Sequence, residues 1–135
     1  MDTNARVRFL EDRVLTASPA QRIVMLFDRL VLDLTRATLA DSIDLRQHTG
    51  HASQIVAELF GSLDPKAGGP AENLGAVYGF LLNELMTMDA AVLATKIPSM
   101  LEIVTGLRTA WARAVEQLEQ LEQPGVRPLV GAWVG

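Results

Sequence analysis

The stretch that most constrains the fold is residues 18–40, where a strong helix start is followed by two apolar stripes. Ser18 is a favoured N-cap residue, Pro19 suits the first helical position, and Gln21 lies three residues after the cap. This is the pattern of a capping box with a preset first turn. It predicts a helix that begins at Ser18 and runs to about Ala40.

Two sets of apolar residues repeat along this helix. At roughly 100° per residue, the first set shares one arc: Ile23, Leu26, Phe27, Leu30, Leu34 and Ala37. The second set lies almost opposite, with Asp28 and Arg36 at its edges: Met25, Leu32 and Leu39. A surface helix ordinarily has one apolar stripe. This helix therefore either lies between other elements or keeps one face for a partner.

Three further amphipathic helices are predicted. The second follows the cap residues Asp41 and Asp44 and has one face made of Leu45, His48, Ala52, Ile55, Val56, Leu59 and Leu63. Residues 64–70 are rich in Pro and Gly and form the clearest loop. The third helix begins near Pro70 or Ala71 and has a face made of Leu74, Val77, Tyr78, Leu81, Leu85 and Met88.

The fourth helix is predicted to start between Thr95 and Ile97, after a break that follows Asp89. This start is predicted from Pro98, because proline is best tolerated in the first turn of a helix. From there a heptad runs to residues 123–125, alternating Ile97, Val104, Trp111 and Leu118 with Met100, Leu107, Ala114 and Leu121. Short connections between four such helices predict an all-α, antiparallel up-and-down four-helix bundle.

We expect residues 1–123 to form a single domain, in which residues 1–15 are a short N-terminal arm or helix. The apolar tail, residues 124–135, is either disordered or packed on the bundle. Gly75 and Gly79 lie one turn apart on a flank of the third helix. Two glycines in a helix need a packing reason, so we expect a neighbouring helix of the chain to pack closely there. The alternative is a smooth groove for a partner.

Composition narrows the functional classes. The formal charge is −4, so no basic surplus exists to neutralise nucleic-acid phosphates. The chain has no cysteine and lacks a signal-peptide pattern at its first residues. No apolar run approaches the roughly 18 residues of a spanning helix. We expect a cytoplasmic protein without membrane insertion.

No catalytic pattern is present. His48 and His51 are one turn apart, but neither belongs to a Glu-x-x-His or His-Glu-x-x-His motif. His48 is expected at the edge of the core, and no phosphate or dinucleotide fingerprint occurs. We therefore predict no enzyme activity, no cofactor and no metal. The apolar surplus instead indicates a surface for a protein partner.

Several short motifs resemble the FliS family of flagellar secretion chaperones. Residues 16–19 read T-A-S-P and residues 25–28 read M-L-F-D, where the family has T-A-S-P followed by M-L-Y-D. Three further elements are similar between Phe9 and about Val115: residues 55–64, the Asn73-Leu74-x-x-Val77-Tyr78 helix and Leu107-Arg108-x-Ala110-Trp111. The sequence departs from the family at Phe9 and Phe27, which replace tyrosines, at Met88-Asp89 in place of Ala-Asn, and in its apolar tail.

The resemblance implies a cytoplasmic, non-enzymatic four-helix bundle that binds the disordered C-terminal helical segment of flagellin. Binding prevents premature polymerisation and keeps flagellin competent for the flagellar type III export apparatus, a further candidate partner. It also implies that the arm around Phe9 covers the groove until flagellin displaces it. We predict contacts at Phe9, Val14, Met25, Phe27, Asp28, Leu32, Leu82 and Met86, with Arg108 as a polar anchor. The rival hypothesis is a homodimeric structural or adaptor bundle that buries the same apolar surface on itself.

Overall fold

The computed structural model describes residues 17–64, 66 and 68–121, and this part of the chain folds into four helices. They are α1 (Pro19–Thr38), α2 (Ser42–Gly61), α3 (Gly69–Thr87) and α4 (Ala90–Gln120). The prediction of an all-α four-helix bundle is confirmed. The predicted N-terminal arm and the tail both lie outside the described residues, so their placement stays a prediction.

The start of α1 has the predicted capping box. The Gln21 backbone N–H donates to Ser18 Oγ at 3.2 Å, and the Ser18 backbone N–H donates to Gln21 Oε1 at 2.9 Å. These two bonds satisfy two of the donors that a helix start leaves free. The first helix therefore begins where the sequence predicts.

Each helix contributes one apolar face to a common core. Near its centre the rings of Phe27 and Tyr78 lie 6.4 Å apart at 45°, a favourable tilted arrangement. Tyr78 is 1% exposed, and this burial raises the pKa of its phenol. The residues of the first predicted arc on α1 are buried at Ile23, Phe27, Leu30, Leu34 and Ala37, whereas Leu26 is partly buried.

The predicted break before the fourth helix is wrong. The α4 helix starts at Ala90, where the Asp89 carboxylate accepts the Val92 backbone N–H at 2.9 Å as an N-cap. Pro98 lies inside the helix rather than in its first turn. An interior proline costs about 3 kcal/mol, and here the burial of Leu93 and Ile97 before it and of Met100 after it offsets that cost.

The heptad of α4 packs in its first part and becomes exposed at its end. Val104 and Trp111 are buried, whereas Leu121 is 58% exposed. With 31 residues α4 is roughly 46 Å long, whereas the 19 or 20 residues of the other helices span roughly 30 Å. A helix of this length necessarily projects beyond its shorter partners.

The helices are arranged with α1 in a central position. α1 packs against both α2 and α4, α2 also packs against α3, and α3 and α4 touch each other least of the neighbouring pairs. Two side-chain pairs set the direction of the α1–α4 interface, Gln21 with Glu119 and Asp28 with Arg108. Residue numbers rise in α1 as they fall in α4, so these two helices are antiparallel as predicted.

The continuity of α4 bears on the expectation that the chain has no membrane-spanning segment. By length and composition alone, this helix is apolar enough to cross a membrane, with 22% of the relevant window buried in the fold. A break near Thr95 would have divided this apolar segment. One such helix is weak evidence for a membrane span.

Candidate partner-binding site

The second apolar stripe of α1 is accessible to solvent in the folded chain, partly at Met25 and more fully at Leu32 and Leu39. Met25 is partly buried, Leu32 is 38% exposed and Leu39 is 85% exposed. We refer to Met25, Leu32 and Leu39 as the α1 stripe. Its residues are seven apart, so it extends over about 21 Å along one side of the helix. The two-sided character of this helix, expected from its sequence, is therefore present: one side enters the core and the other meets solvent.

A groove of about 300 Å³ lies beside the stripe, between the N-terminal half of α1 and the C-terminal half of α4. We refer to it as the α1–α4 groove, and it is lined by Ala17, Gln21, Val24, Met25, Ala112, Val115 and Glu119. Five of these side chains are apolar and two are polar. Met25 belongs to both the stripe and the groove, so the two form one continuous surface. The small side chains of Ala17 and Ala112 leave space for the side chains of a partner.

Two polar pairs connect the walls of this surface. The Gln21 amide donates to Glu119 Oε1 at 2.6 Å, so the residue that completes the capping box also links α1 to α4. One turn beyond the groove, Arg108 Nε donates to Asp28 Oδ1 at 2.5 Å, and both side chains are a little under half exposed. Asp28 and Arg108 were each predicted as polar anchors, and the fold pairs them with each other.

Phe27 is a core residue. Its side chain is 0% exposed and packs near Tyr78, so it offers no surface to a partner in this conformation. A buried phenylalanine ring has no hydroxyl that needs a hydrogen-bond partner. Phe9 and Val14 lie outside the described residues.

Leu82 and Met86 lie on α3, away from the α1–α4 groove. Leu82 is partly buried against the core, whereas Met86 is 67% exposed. They share a helix face with Gly75, where a Cβ would lie 3.6 Å from Leu63 Cδ1 in the segment that follows α2. Neither Leu82 nor Met86 belongs to the lining of the groove that contains Met25.

The expectation of close helix packing at the two glycines is wrong. A Cβ on Gly79 would meet nothing within 4 Å, and the contact at Gly75 is an ordinary van der Waals distance. Among the described residues, no helix approaches either position closely enough to require glycine. The glycine flank of α3 is open, which leaves the alternative hypothesis of a smooth partner groove.

A buried polar cluster joins α1 to α2 and was not predicted. Asp33 is 1% exposed, its carboxylate bonds to His51 Nδ1, and Arg29 Nε lies 3.4 Å from its second oxygen. The sequence carries a signal for it, because Asp33 follows Leu30 by three residues and precedes Ala37 by four, which places it on the buried arc. His48, the histidine assigned to the core edge, is partly buried as expected.

Within the described ranges, no three His, Cys, Asp or Glu side chains lie together as metal ligands. In the same residues, every buried side-chain nitrogen or oxygen has a hydrogen-bond partner. The Asp33 cluster is satisfied within the fold, so its role is to hold α2 against α1.

Comparison with known sequences agrees with the motifs. A search of curated proteins returned no significant match. A protein-family model described as "Flagellar protein FliS" matches residues 2–118 of the 135-residue chain. The matched range includes all of α1, α2 and α3 and nearly all of α4. The chain therefore belongs to the FliS family, a family of flagellar export chaperones.

Proposed function

We propose that this protein is a flagellin-specific export chaperone. It binds the disordered C-terminal helical segment of flagellin in the cytoplasm, prevents premature polymerisation and keeps the subunit competent for flagellar type III secretion. The observation that carries the proposal is the α1 stripe beside the α1–α4 groove, an exposed apolar surface in a member of this chaperone family. The family is generally soluble, which supports a cytoplasmic location.

The geometry suits an amphipathic helix as client. Such a helix places apolar side chains at positions i, i+3, i+4 and i+7, and these anchors fit a groove between two helices. Met25 and Leu32 provide matching apolar contacts seven residues apart on α1. The unbranched Met25 side chain adapts to different partner shapes, and this is useful for a client that folds as it binds.

The polar pair at the rim gives the client a direction. Asp28 and Arg108 stand partly exposed beside the apolar surface, so either one is able to bond a polar group of the client by exchanging its present partner. A buried client helix needs such contacts mostly for orientation and specificity rather than for affinity. Leu82 and Met86 are secondary contacts in this proposal, which a client reaches by continuing around the bundle.

The mechanism is stoichiometric masking. The client exchanges disorder for a helix whose apolar face is covered, and the cost of ordering reduces the net affinity. Release at the export apparatus then requires only that the complex dissociate. No nucleotide, metal or covalent step is needed in this mechanism.

The rival proposal is a homodimer that buries the same stripe on a second copy. A homodimer that persists at nanomolar concentration by light scattering favours the rival. A monomer at micromolar concentration, together with one-to-one client binding, favours the chaperone.

The experiment that tests the proposal is a calorimetric titration of the full chain with the C-terminal helical segment of flagellin from the same organism. We expect saturable one-to-one binding with a negative heat-capacity change from apolar burial, together with a gain in helicity by circular dichroism. The absence of binding at tens of micromolar, with the chain folded, overturns the proposal.

A further inference from the structure

A row of arginines runs beside the α1 stripe. Arg22, Arg29 and Arg36 are seven residues apart on α1, and each comes three residues before a member of the stripe. We refer to these three residues as the arginine row. Residues three or four apart are neighbours on a helix surface. A basic row and an apolar row therefore lie side by side along α1.

The two outer arginines leave their charge open to solvent. Arg29 Nε lies 3.4 Å from the buried Asp33 carboxylate, so Arg29 already has a partner in the fold. Arg22 and Arg36 are exposed, and neither forms an ion pair within residues 17–64, 66 and 68–121. When two helices pair, the charged residues that flank the apolar seam set the choice of partner.

The opposite flank of the stripe has no such surplus of positive charge. There Asp28 on α1 bonds to Arg108 on α4, so one negative and one positive side chain balance each other. The α1–α4 groove lies on the same side, and its lining is mainly apolar. This face of α1 is therefore basic along one side only, which distinguishes the two sides of an incoming helix.

We propose that this face of α1 binds an amphipathic helix whose apolar row is flanked by aspartate or glutamate on the side that meets the arginine row. Both rows on α1 repeat every seven residues, a spacing that keeps a helical seam facing its partner, so the contact extends over about 21 Å. For the flagellin segment this inference rests on the proposed function. It adds the charge pattern that the client helix presents at this face.

A second copy of this chain is a poorer occupant of the same face. If two α1 helices pair through their stripes in antiparallel directions, the two arginine rows face each other and repel. If the helices pair in parallel, each arginine row faces Val24, Val31 and Thr38 of the other copy. Neither arrangement supplies a carboxylate, so the charge pattern favours an acidic partner that is not this chain.

Two synthetic peptides test the proposal. Both consist of three heptads with leucine at the two seam positions, and the flanking e and g positions hold glutamate in one peptide and lysine in the other. The full chain has a formal charge of −4, so attraction by net charge alone favours the lysine peptide. By calorimetry at low salt, we expect the glutamate peptide to bind at least about fivefold more tightly. Equal affinities, or a preference for lysine, overturn the proposal.

Charge reversal identifies the residues that carry the preference. Arg22→Glu with Arg36→Glu is expected to reverse it, and the milder pair Arg22→Gln with Arg36→Gln to remove it, with the fold checked by circular dichroism. The control is Arg46→Glu with Arg113→Glu, which reverses two exposed arginines on α2 and α4 outside the groove lining and is expected to keep the preference. A preference that survives both substitutions of the outer arginines, or that the control removes equally, overturns the proposal.

Two further measurements separate this inference from its alternatives. Vesicles of anionic phosphatidylglycerol that bind the full chain but not the Arg22→Glu/Arg36→Glu variant, without any binding of the glutamate peptide, identify a membrane surface as the occupant and overturn the proposal. Flagellin-segment binding that is unchanged in that variant overturns the proposal and leaves the proposed function standing. If the flagellin segment does not bind while the glutamate peptide shows the expected preference, the proposed function fails and the inference stands.

Discussion

The buried carboxylate of Asp33 on α1 is bonded to the imidazole Nδ1 of His51 on α2. Asp33 is 1% exposed, and Arg29 from the preceding turn lies on its other side. A carboxylate in this position needs both neighbours, because an ionised oxygen without a donor is expensive in a core. The Asp33–His51 pair therefore fixes the position of α2 against α1, the helix that carries the candidate partner-binding surface.

Removing the His51 imidazole, the hydrogen-bond partner of Asp33, is expected to destabilise the fold. We predict that His51→Ala lowers the free energy of unfolding by about 1–3 kcal/mol, because the buried Asp33 carboxylate loses a partly buried hydrogen bond. His48→Ala, on the same helix, is the control and is expected to cost less. Urea denaturation monitored by circular dichroism measures both. An equal loss in the two variants contradicts the role given to His51.

The hydrogen bond between Gln21 and Glu119 gives a prediction about folding stability. Gln21→Glu keeps an oxygen for the Ser18 N–H but places a carboxylate against Glu119. We predict a loss of up to about 1 kcal/mol in unfolding free energy, which shrinks at high salt because charge repulsion is screened.

The rescue variant for this prediction is the double substitution Gln21→Glu with Glu119→Gln. It exchanges donor and acceptor, so it is expected to restore the stability lost by the single variant. If the double variant is no more stable than Gln21→Glu alone, the loss does not come from the contact between these two side chains.

The burial of the Tyr78 phenol leads us to predict a loss of folding stability at high pH. Burial raises the pKa of its phenol above the ordinary value of 10.0, so the folded chain holds the proton more tightly than the unfolded chain. The stability from this group is complete below about pH 10 and falls as the pH rises further, by up to about 1.4 kcal/mol for each pH unit. Urea midpoints between pH 8 and pH 11 measure the slope.

The control for this pH dependence is Tyr78→Phe, which lacks the titrating group and is expected to lose the additional slope above pH 10. Tyr78 is the single tyrosine of the chain, so ultraviolet difference absorbance also reports its ionisation directly. A phenol that ionises near pH 10 in the folded protein contradicts the account.

Periodicity in the sequence was sufficient to predict the helices and most of the core. The start of α1 was predicted to the residue because the capping box of Ser18 and Gln21 depends only on residues that are close in sequence. The start of α4 was predicted wrongly because Pro98 is a local signal that long-range packing overrides. Sequence spacing does not weigh the burial of Leu93 and Ile97 against the cost of one proline.

The candidate site was predictable only in part, because sequence spacing does not show which helices pack together. The α1 stripe follows from the spacing of Met25 and Leu32, whereas the groove beside it depends on which helix packs next to α1. That choice is set by the arrangement of the whole bundle. Phe27 illustrates the limit, since one residue was assigned to the core arc and to the partner surface, and the fold places it fully in the core.

The open flank of α3 gives a prediction of increased stability. A methyl group on Gly79 would contact nothing within 4 Å, and alanine favours the helix by about 0.8–1 kcal/mol over glycine. We predict that Gly79→Ala raises the unfolding free energy by roughly that amount, measured by urea denaturation. A loss of stability contradicts the open geometry of this flank. Client affinity in this variant also reports whether the flank is a second contact.

The measurement that tests the central claim most directly compares the affinities of Met25→Glu and Met86→Glu for the flagellin C-terminal segment by calorimetry. Both variants place a charge on an accessible methionine, one in the α1–α4 groove and one on α3. We predict that Met25→Glu weakens binding at least about tenfold, or roughly 1.4 kcal/mol, and that Met86→Glu weakens it less. Unchanged binding by Met25→Glu, or a larger loss in Met86→Glu, contradicts the assignment of the groove as the principal client site.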